Sequence, residues 1–340
     1  MSEIINITGN ELVVQAAADI GASLMFGYPI TPSTEILENW VNLCQTNKDL
    51  DYLQTEDEIA AGFGVCGATL AGKIAFTASA GPGNVLLQDS ISMAESMRLP
   101  FVAIIAQRGG PSTGTVIYSQ QETILTVHGG NGEGLRIVYA PGDLQELYEM
   151  AQAAFVSAWK YRFPAFVLTD GYLCKTKQNL VLRRNLKKIG VEKIATKNMR
   201  NCFSMEEELF EKLQIDLKDF EKLSFMAQAE EDEVKDANLL VIAYGTVAMS
   251  VKQALTKLRE QGLKIALLRP KTLSPFPAAQ LSRVLSKEKK VIFIESSHRQ
   301  LEMLTRAKIK IAGEISRYNR PAMGITPEEV ENFLKKEYRE

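Results

Sequence analysis

Short, nearly continuous apolar runs recur along the first half of the chain and alternate with longer segments of helical periodicity. The runs are LMFGYP at 24–29, IAFTAS at 74–79, FVAIIAQ at 101–107, RIVYAP at 136–141 and AFVLTDG at 165–171. Strands of a parallel sheet need such runs because helices cover both of its faces. Residues 1–175 are therefore predicted to form a doubly wound α/β domain with a parallel sheet.

A second set of strands follows a charge-rich stretch. From Cys174 to about Asp236 the apolar pattern gives way to KTKQNLVLRRNLKKIG and MEEELFEKLQIDLKDFEKL, which favour a connecting segment with some surface helix. Beyond it the strand patterns are NLLVIAYG at 238–245, KIALLRP at 264–270 and KVIFIES at 290–296. The sequence thus predicts an α/β domain over 1–175, a connecting excursion over 176–236 and a smaller α/β domain over 237–340.

Charge and composition exclude several classes of function. The formal net charge is −2 and no basic block is present, so a nucleic-acid partner is not expected. The chain has neither a signal-peptide pattern at its start nor a run of about 20 apolar residues, and we expect a cytoplasmic protein that does not bind membranes. No metal site is predicted, because the few candidate sulfur and imidazole ligands are scattered: Cys44, Cys66, Cys174, Cys202, His128 and His298.

Five predicted strand ends carry unusual sequences. They read YPITPST at 28–34, TEDEIAA at 55–61, TASAGPGN at 77–84, QRGGPSTG at 107–114 and HGGNGEG at 128–134. In an open parallel sheet, ligands bind beyond the carboxyl ends of the strands, where neighbouring loops converge. These five loops are therefore the candidate ligand site.

Two of these loops favour close contact with a ligand through a stiff or an open backbone. Pro29 and Pro32 stiffen the first turn and present the hydroxyl of Thr31. Gly81 and Gly83 lack side chains, so the backbone of the third loop can approach a ligand closely. A Gly-Pro-Gly sequence is also an ordinary turn, and on its own it decides nothing.

Two other loops offer charge. Glu56, Asp57 and Glu58 open a predicted helix, where acidic side chains also interact favourably with the helix dipole. Arg108 is the first charged residue after a seven-residue apolar strand. Its planar guanidinium suits a carboxylate or a phosphate, although a surface or structural ion pair would explain it equally well.

In this order and spacing, GYPITPST, TEDEIAA, SAGPG and QRGGPSTG resemble the pyrimidine-binding domain of thiamine diphosphate enzymes. The resemblance is specifically to the α subunit of the 2-oxoacid:ferredoxin oxidoreductases, and it continues through YRFPAFVLTDGYL. AYGT, LRPKTLSPFP and RYNRPAMGITPEEV resemble the second domain of that family, which is related to the transketolase C-terminal domain. The resemblance covers about four-fifths of the chain, and the 176–236 region lies outside it.

The resemblance implies roles for individual residues. A glutamate of such domains hydrogen-bonds a ring nitrogen of the cofactor's aminopyrimidine, and the EDEIAA motif assigns this role to Glu58, with Glu56 as the second choice. Thr31 and Arg108 match the family positions that meet the carboxylate of the 2-oxoacid. The implied cofactor-binding set is Pro29, Glu58, Gly81 and Gly83.

The resemblance also implies a reaction and its partners. The reaction is oxidative decarboxylation of a 2-oxoacid with coenzyme A to acyl-CoA, carbon dioxide and reduced ferredoxin. This chain contains no GDG motif and no clustered cysteines. A β subunit is therefore expected to supply the Mg²⁺-diphosphate site and a [4Fe-4S] cluster, with the active site shared between them. Separate γ and ferredoxin-like δ subunits are expected as well. RGGPSTG favours 2-oxoglutarate as substrate, with a branched-chain 2-oxoacid or pyruvate as alternatives.

Some positions depart from the family pattern, and other functions remain open. Asn131 stands where many relatives have a histidine, and His128 lies three residues earlier. ESSHRQL has Ser297 and Arg299 in place of the usual Asn and Gly, so its role is open. The β chain of a 2-oxoacid dehydrogenase E1 component and a non-catalytic scaffold subunit are the alternative functions. A plain Rossmann protein is disfavoured because no GxGxxG follows the first strand.

Overall fold

The computed structural model describes residues 3–190, 194, 199–287 and 289–339. The described strands are β1 (Glu3–Thr8), β2 (Leu24–Gly27), β3 (Asp51–Gln54), β4 (Ala75–Ser79), β5 (Val102–Gln107), β6 (Ile137–Tyr139), β7 (Ala165–Asp170), β8 (Lys177–Leu182), β9 (Ala229–Asp232), β10 (Leu239–Ile242), β11 (Ile265–Pro270), β12 (Thr272–Ser274), β13 (Lys290–Glu295) and β14 (Ile315–Asn319).

The described helices are α1 (Gly9–Ile20), α2 (Thr34–Thr46), α3 (Glu58–Leu70), α4 (Pro82–Leu86), α5 (Gln88–Ser96), α6 (Thr123–His128), α7 (Leu144–Tyr161), α8 (Gly171–Lys175), α9 (Glu206–Glu221), α10 (Gly245–Glu260), α11 (Ala278–Leu285), α12 (Gln300–Arg306) and α13 (Pro327–Arg339), with a 3₁₀ helix at Lys222–Met226. We call residues 3–182 the first unit and residues 229–339 the second unit.

A seven-stranded sheet is the centre of the first unit. Its order is β12-β6-β7-β5-β4-β2-β3, and all neighbours are parallel except β12. Val102 and Ile104 of β5 pack toward α1, α2 and α7, whereas Ala103 and Ile105 pack toward α3 and α5. Helices thus cover both faces, and the predicted doubly wound α/β fold is confirmed.

The second unit is a smaller α/β sheet with strand order β14-β13-β10-β11-β9, in which β9 is antiparallel. Val241 packs against α10 and α13, while Leu240 belongs to the same apolar cluster as Phe166 of the first sheet. One continuous core therefore runs between the two units. The antiparallel pair β1–β8 lies apart from both sheets and was not predicted.

A strand of the second unit also completes the first sheet. β12 pairs antiparallel with β6 through Thr272 opposite Tyr139. Arg269, almost fully buried, forms ion pairs with Glu146 of α7 and with Glu230. Burial opposes ionisation of Glu146, but Arg269 and Lys271 hold the pKa of this carboxyl below its ordinary value. Backbone pairing and buried charge thus join the units.

The described residues contain neither a membrane-spanning helix nor a clustered metal site. Within the described ranges, no helix has both the length and the apolar surface that crossing a bilayer requires. The same residues contain no group of three or more His, Cys, Asp or Glu side chains placed to hold a metal ion.

Asp170 is a buried carboxyl that contacts both units. It ends β7, and its Oδ1 accepts a hydrogen bond from the Leu173 N–H at 3.0 Å, so that it caps α8. Its Oδ2 accepts from the Thr246 hydroxyl of the second unit at 2.6 Å. Burial nevertheless raises the pKa of Asp170 to about 6.

This raised pKa predicts a pH-dependent stability. The folded protein holds the Asp170 proton up to about pH 6, whereas the unfolded chain releases it near pH 4. The contribution of Asp170 to the free energy of unfolding is therefore full below pH 4 and is lost as the pH rises through 6, by about 3 kcal/mol in all. Asp170→Asn removes the titration, so urea unfolding at pH 4 to 7 should show this loss in the wild type relative to the variant.

The matched control is Asp143→Asn, which replaces the exposed N-cap of α7 and removes no buried charge. The difference in unfolding free energy between wild type and Asp170→Asn should decrease with pH, while the corresponding difference for Asp143→Asn should not follow this course. A difference for Asp170→Asn that stayed constant from pH 4 to 7 would contradict the raised pKa.

Candidate active site

The loops after β2, β4 and β5 meet at one edge of the first sheet. Parallel pairing places Ser79 beside Ile105 and Gln107 beside Asp170, so the carboxyl ends of these strands lie level. Residues 28–33, 80–84 and 108–118 follow these ends directly. Four of the five loops that the sequence singled out, including the one that begins α3, therefore contribute to a single region.

Glu58 is the first residue of α3 and is almost fully buried, with 3% of its surface exposed. Asp57 caps the helix by accepting from the Ala60 N–H at 2.8 Å. Oε1 of Glu58 has no hydrogen-bond partner among the described residues. Burial raises the pKa of Glu58 and the charge of Asp57 acts in the same direction, while a backbone hydrogen bond at the start of α3 and the charge of Arg108 oppose them. The site thus contains a sheltered carboxyl with an unused acceptor.

The GPG turn, which comprises Gly81, Pro82 and Gly83, packs directly on this carboxyl. A Cβ added at Gly83 would collide with Oε1 of Glu58 and with the hydroxyl of Ser79. Gly81 has a φ of +54° and a Cβ there would lie 2.7 Å from Nε of Arg108. Both positions therefore require glycine, one for space and the other for space and conformation.

Arg108 is 5% exposed and projects toward the first turn. Its Nη1 donates to the carbonyl oxygen of Thr31 at 2.8 Å. Its Nε is buried and has no partner among the described residues. The structure thus brings Thr31, Arg108, Gly81 and Glu58 into one region, with donor capacity still free on the guanidinium.

The other candidate residues lie in less enclosed places. Pro29 and Glu56 are exposed, and Thr31 is partly buried. His128 and Asn131 are exposed on the loop 128–134, where the Asn131 N–H donates to the Ser92 hydroxyl at 3.4 Å. Of the two glutamates considered, only Glu58 is enclosed in the site.

ESSHRQL, whose role the sequence left open, contacts the first unit. Ser296 exchanges hydrogen bonds with Gln120, and Gln300 donates to the carbonyl of Gln121 at 2.7 Å. Ser297 donates to Glu295, whose carboxyl also accepts the N–H groups of α12. His298 and Arg299 are exposed. The segment thus packs between the two units.

Sequence reasoning missed four polar residues of the site. Thr77 and Ser79 are fully buried on one face of β4, and neither hydroxyl has a hydrogen-bond partner among the described residues. Glu122 is 5% exposed and accepts from the N–H groups of Gly81 and Arg108, while Asn84 donates to its other oxygen. Ser79 at the end of β4 and Glu122 before α6 are visible in the sequence as a hydroxyl and an acid. Only their contacts show that they belong to the site.

Comparisons with known proteins identify the fold and the family. Residues 15–236 match the family described as "Pyruvate flavodoxin/ferredoxin oxidoreductase, thiamine diP-bdg", and residues 237–324 match "Pyruvate:ferredoxin oxidoreductase core domain II". The ketoisovalerate oxidoreductase subunit VorB of Methanothermobacter marburgensis is 32% identical over 97% of this chain and 96% of its own length. The 2-oxoglutarate synthase subunit KorA of Methanocaldococcus jannaschii is 30% identical over 90% of this chain and 92% of its own.

A solved structure agrees with these relatives. The 2-oxoglutarate:ferredoxin oxidoreductase from Magnetococcus marinus, with 2-oxoglutarate, coenzyme A and succinyl-CoA bound, superposes with a TM-score of 0.89 at 27% identity. The match covers 99% of this chain and 66% of that chain, so this chain spans about two thirds of its length. The predicted resemblance is confirmed. The chain belongs to the 2-oxoacid:ferredoxin oxidoreductase family and carries its thiamine diphosphate-binding domain in residues 15–236.

Proposed function

We propose that this chain is the α subunit of a 2-oxoacid:ferredoxin oxidoreductase that oxidatively decarboxylates 2-oxoglutarate with coenzyme A. The observation that carries the proposal is the buried Glu58 carboxyl, which has an unpartnered oxygen and lies against the GPG turn beside Arg108. A family relative that had lost the chemistry would have no reason to retain an unsatisfied buried carboxyl, because such a group costs stability.

The residues of the site fit thiamine diphosphate. Thr77, Ser79 and Glu58 offer buried polar atoms without partners, and the missing side chains of Gly81 and Gly83 leave the backbone open to close approach. Glu58 would hold a ring nitrogen of the aminopyrimidine, and Pro29 with the GPG turn would bound the ring. When bound, thiamine diphosphate supplies the carbanion chemistry by which a 2-oxoacid loses carbon dioxide.

Glu58 has the properties that its proposed role requires. Because burial raises its pKa, its carboxyl carries a proton closer to neutral pH than an exposed glutamate does. It can therefore donate a hydrogen bond to the ring nitrogen and exchange that proton during turnover. Enclosure by α3 and the GPG turn keeps water away from this bond and so strengthens it.

Arg108 and Thr31 are proposed to bind the carboxylate of the 2-oxoacid. The Thr31 carbonyl fixes one end of the guanidinium and leaves Nε free. A guanidinium binds a carboxylate through two parallel N–H groups, which gives orientation as well as charge. Burial of Arg108 increases the strength of this contact, and the Thr31 hydroxyl is proposed to add a further donor.

We infer that the site is shared with a β subunit that supplies the Mg²⁺-diphosphate site and a [4Fe-4S] cluster, and that γ and δ subunits complete the enzyme. The matched relatives are named as subunits, which supports a hetero-oligomer. The elements around Glu58 also carry exposed apolar side chains: Tyr28, Ile59, Val85 and Leu86. Such a patch beside a polar site is typical of a surface that another protein covers.

The substrate assignment has one serious alternative. Both the KorA relative and the solved structure are named for 2-oxoglutarate. The VorB relative is named for ketoisovalerate and matches 97% of this chain at 32% identity, which favours a branched-chain 2-oxoacid as the second candidate. The two substrates differ in the second carboxylate of 2-oxoglutarate and in the branched apolar chain of the other 2-oxoacid, so a direct comparison of them discriminates.

Replacing Arg108 should weaken substrate binding. Arg108→Ala removes a charge-assisted contact worth about 1.5 to 3 kcal/mol, so the apparent KM for the 2-oxoacid should rise by about one to two orders of magnitude. Steady-state dye reduction by the assembled enzyme measures this. The KM for coenzyme A is the internal control, and an unchanged KM for the 2-oxoacid would remove Arg108 from the site.

Replacing Glu58 should impair the chemical step. Glu58→Gln keeps the shape of the side chain and removes the exchangeable carboxyl proton, so kcat should fall by about 10²- to 10⁴-fold. Glu56→Gln is the matched control, because Glu56 is exposed two residues earlier and its replacement should leave kcat unaltered. Full turnover by Glu58→Gln would instead support the non-catalytic scaffold function.

Purification of the tagged chain from its host under anaerobic conditions tests the shared site. We expect a brown complex with a GDG-containing partner that binds thiamine diphosphate and reduces dye with 2-oxoglutarate and coenzyme A. The isolated chain is the control and should show negligible binding of thiamine diphosphate by calorimetry. A colourless complex dependent on lipoamide would assign the chain to the dehydrogenase E1 class, and turnover of branched-chain 2-oxoacids alone would favour the second substrate.

A further inference from the structure

Glu122 joins the two loops on which the proposed function depends. Its Oε1 accepts hydrogen bonds from the N–H of Gly81 at 2.8 Å and from the N–H of Arg108 at 2.9 Å. Its Oε2 accepts from Nδ2 of Asn84 at 3.0 Å. Gly81 follows β4 and Arg108 follows β5. One carboxylate therefore sets the distance between the GPG turn and the loop that begins at Arg108.

Only a carboxylate satisfies these three neighbours. All three groups are donors, and the Asn84 oxygen is already used by Nε2 of Gln88 at 3.0 Å. A glutamine at position 122 would direct its own NH₂ group toward a donor, whichever way the amide turned. The negative charge also lies close to the buried Arg108, which has no ion-pair partner of its own among the described residues.

The segment that carries Glu122 is held by the second unit. We call residues 119–124 the docking segment. The Gln120 N–H donates to the carbonyl of Ser296, and the Ser296 N–H donates to Oε1 of Gln120, both at 3.0 Å. Nε2 of Gln120 donates to the Tyr244 carbonyl at 3.0 Å, and the Thr123 and Tyr244 hydroxyls lie 2.6 Å apart.

Gln300 completes this attachment at the other end of the docking segment. It donates to the carbonyl of Gln121 at 2.7 Å and accepts from the N–H of Ile124 at 3.0 Å. Tyr244 follows β10 and Ser296 follows β13, so the docking segment is bound to the carboxyl ends of the second unit's parallel strands. The second unit makes these contacts with residues 119–124 and reaches the site residues through Glu122.

We propose that Glu122 is a positioning residue through which the second unit sets the placement of Arg108 and the GPG turn. The inference rests on the proposed function, since it assumes that Arg108 binds the 2-oxoacid. It assigns a task to the second unit. The strand ends of that unit contact Gln120, its own Gln300 contacts the docking segment, and both contacts act on the site through Glu122. Glu122 itself contacts no reacting group and acts only through its two backbone partners.

The test uses the assembled enzyme and a double-mutant cycle of Glu122→Gln with Arg108→Ala. Glu122→Gln should raise the KM for the 2-oxoacid by about ten- to a hundredfold, as does the loss of a group that orients a metal ligand, with a smaller change in kcat. In the Arg108→Ala background the same substitution should change KM by less than about twofold, because the pathway through Arg108 is already lost.

Two further measurements separate positioning from general stability. Glu146→Gln is the matched control, since Glu146 also joins the two units but does not contact Gly81, Asn84 or Arg108, and it should leave the KM unaltered. Hydrogen exchange of the complex should accelerate at residues 80–84 and 107–109 in Glu122→Gln and not in Glu146→Gln. This readout does not depend on turnover.

A second variant covers the case in which Glu122→Gln does not assemble. Gln120→Ala retains the carboxylate and removes two bonds to the second unit, so the KM should rise by about three- to tenfold. A KM within about twofold of wild type in both variants, or additive effects of Glu122→Gln and Arg108→Ala, would overturn the inference while leaving the proposed function intact. An unchanged KM in Arg108→Ala itself would remove Arg108 from the site and so overturn the inference, whereas the proposed function is tested separately by Glu58→Gln.

Discussion

Polar groups at the carboxyl edge of the seven-stranded sheet must find partners inside the protein, because burial removes them from water. Glu122 meets this requirement for Gly81, Asn84 and Arg108. With these donors satisfied, four side-chain atoms of the site have no partner in the part of the chain that the structure describes: Oε1 of Glu58, the hydroxyls of Thr77 and Ser79, and Nε of Arg108. The site is thus defined by which buried groups the fold satisfies and which it leaves free.

The parallel sheet could be predicted from the sequence because a strand buried on both faces is a continuous apolar run, which is visible in the local sequence. β5 is apolar along its length until Gln107, and its neighbour β7 is apolar until Thr169. The pairing of β1 with β8 could not be predicted, since these strands are largely exposed and lie more than 160 residues apart. The pairing of β12 with β6 could not be predicted either, because a strand of three residues is too short to show a periodicity in the sequence.

The residues of the candidate site likewise divide into those that the sequence predicts and those that only the contacts reveal. Motif order placed Thr31, Arg108, Gly81 and Glu58 in one region, and the contacts between them agree with that placement. Burial distinguishes Glu58 from Glu56, although a helix start with three acids gives no local hint of which side chain turns inward. The role of Glu122 could not be predicted because its backbone partners lie 14 and 41 positions away in sequence. A single acid at a helix start is also explained by its favourable interaction with the helix dipole.

The pairing of β12 with the first sheet has a consequence for the synthesis of the chain. Residues 272–274 pair with β6, so the edge of the first sheet is complete only after the second unit has been synthesised as far as β12. A fragment that stopped near residue 236 would present β6 as an open strand edge, which is a template for pairing with other chains. The regions 15–236 and 237–324 match two separate family models, yet the sheet of the first region includes a strand from the second.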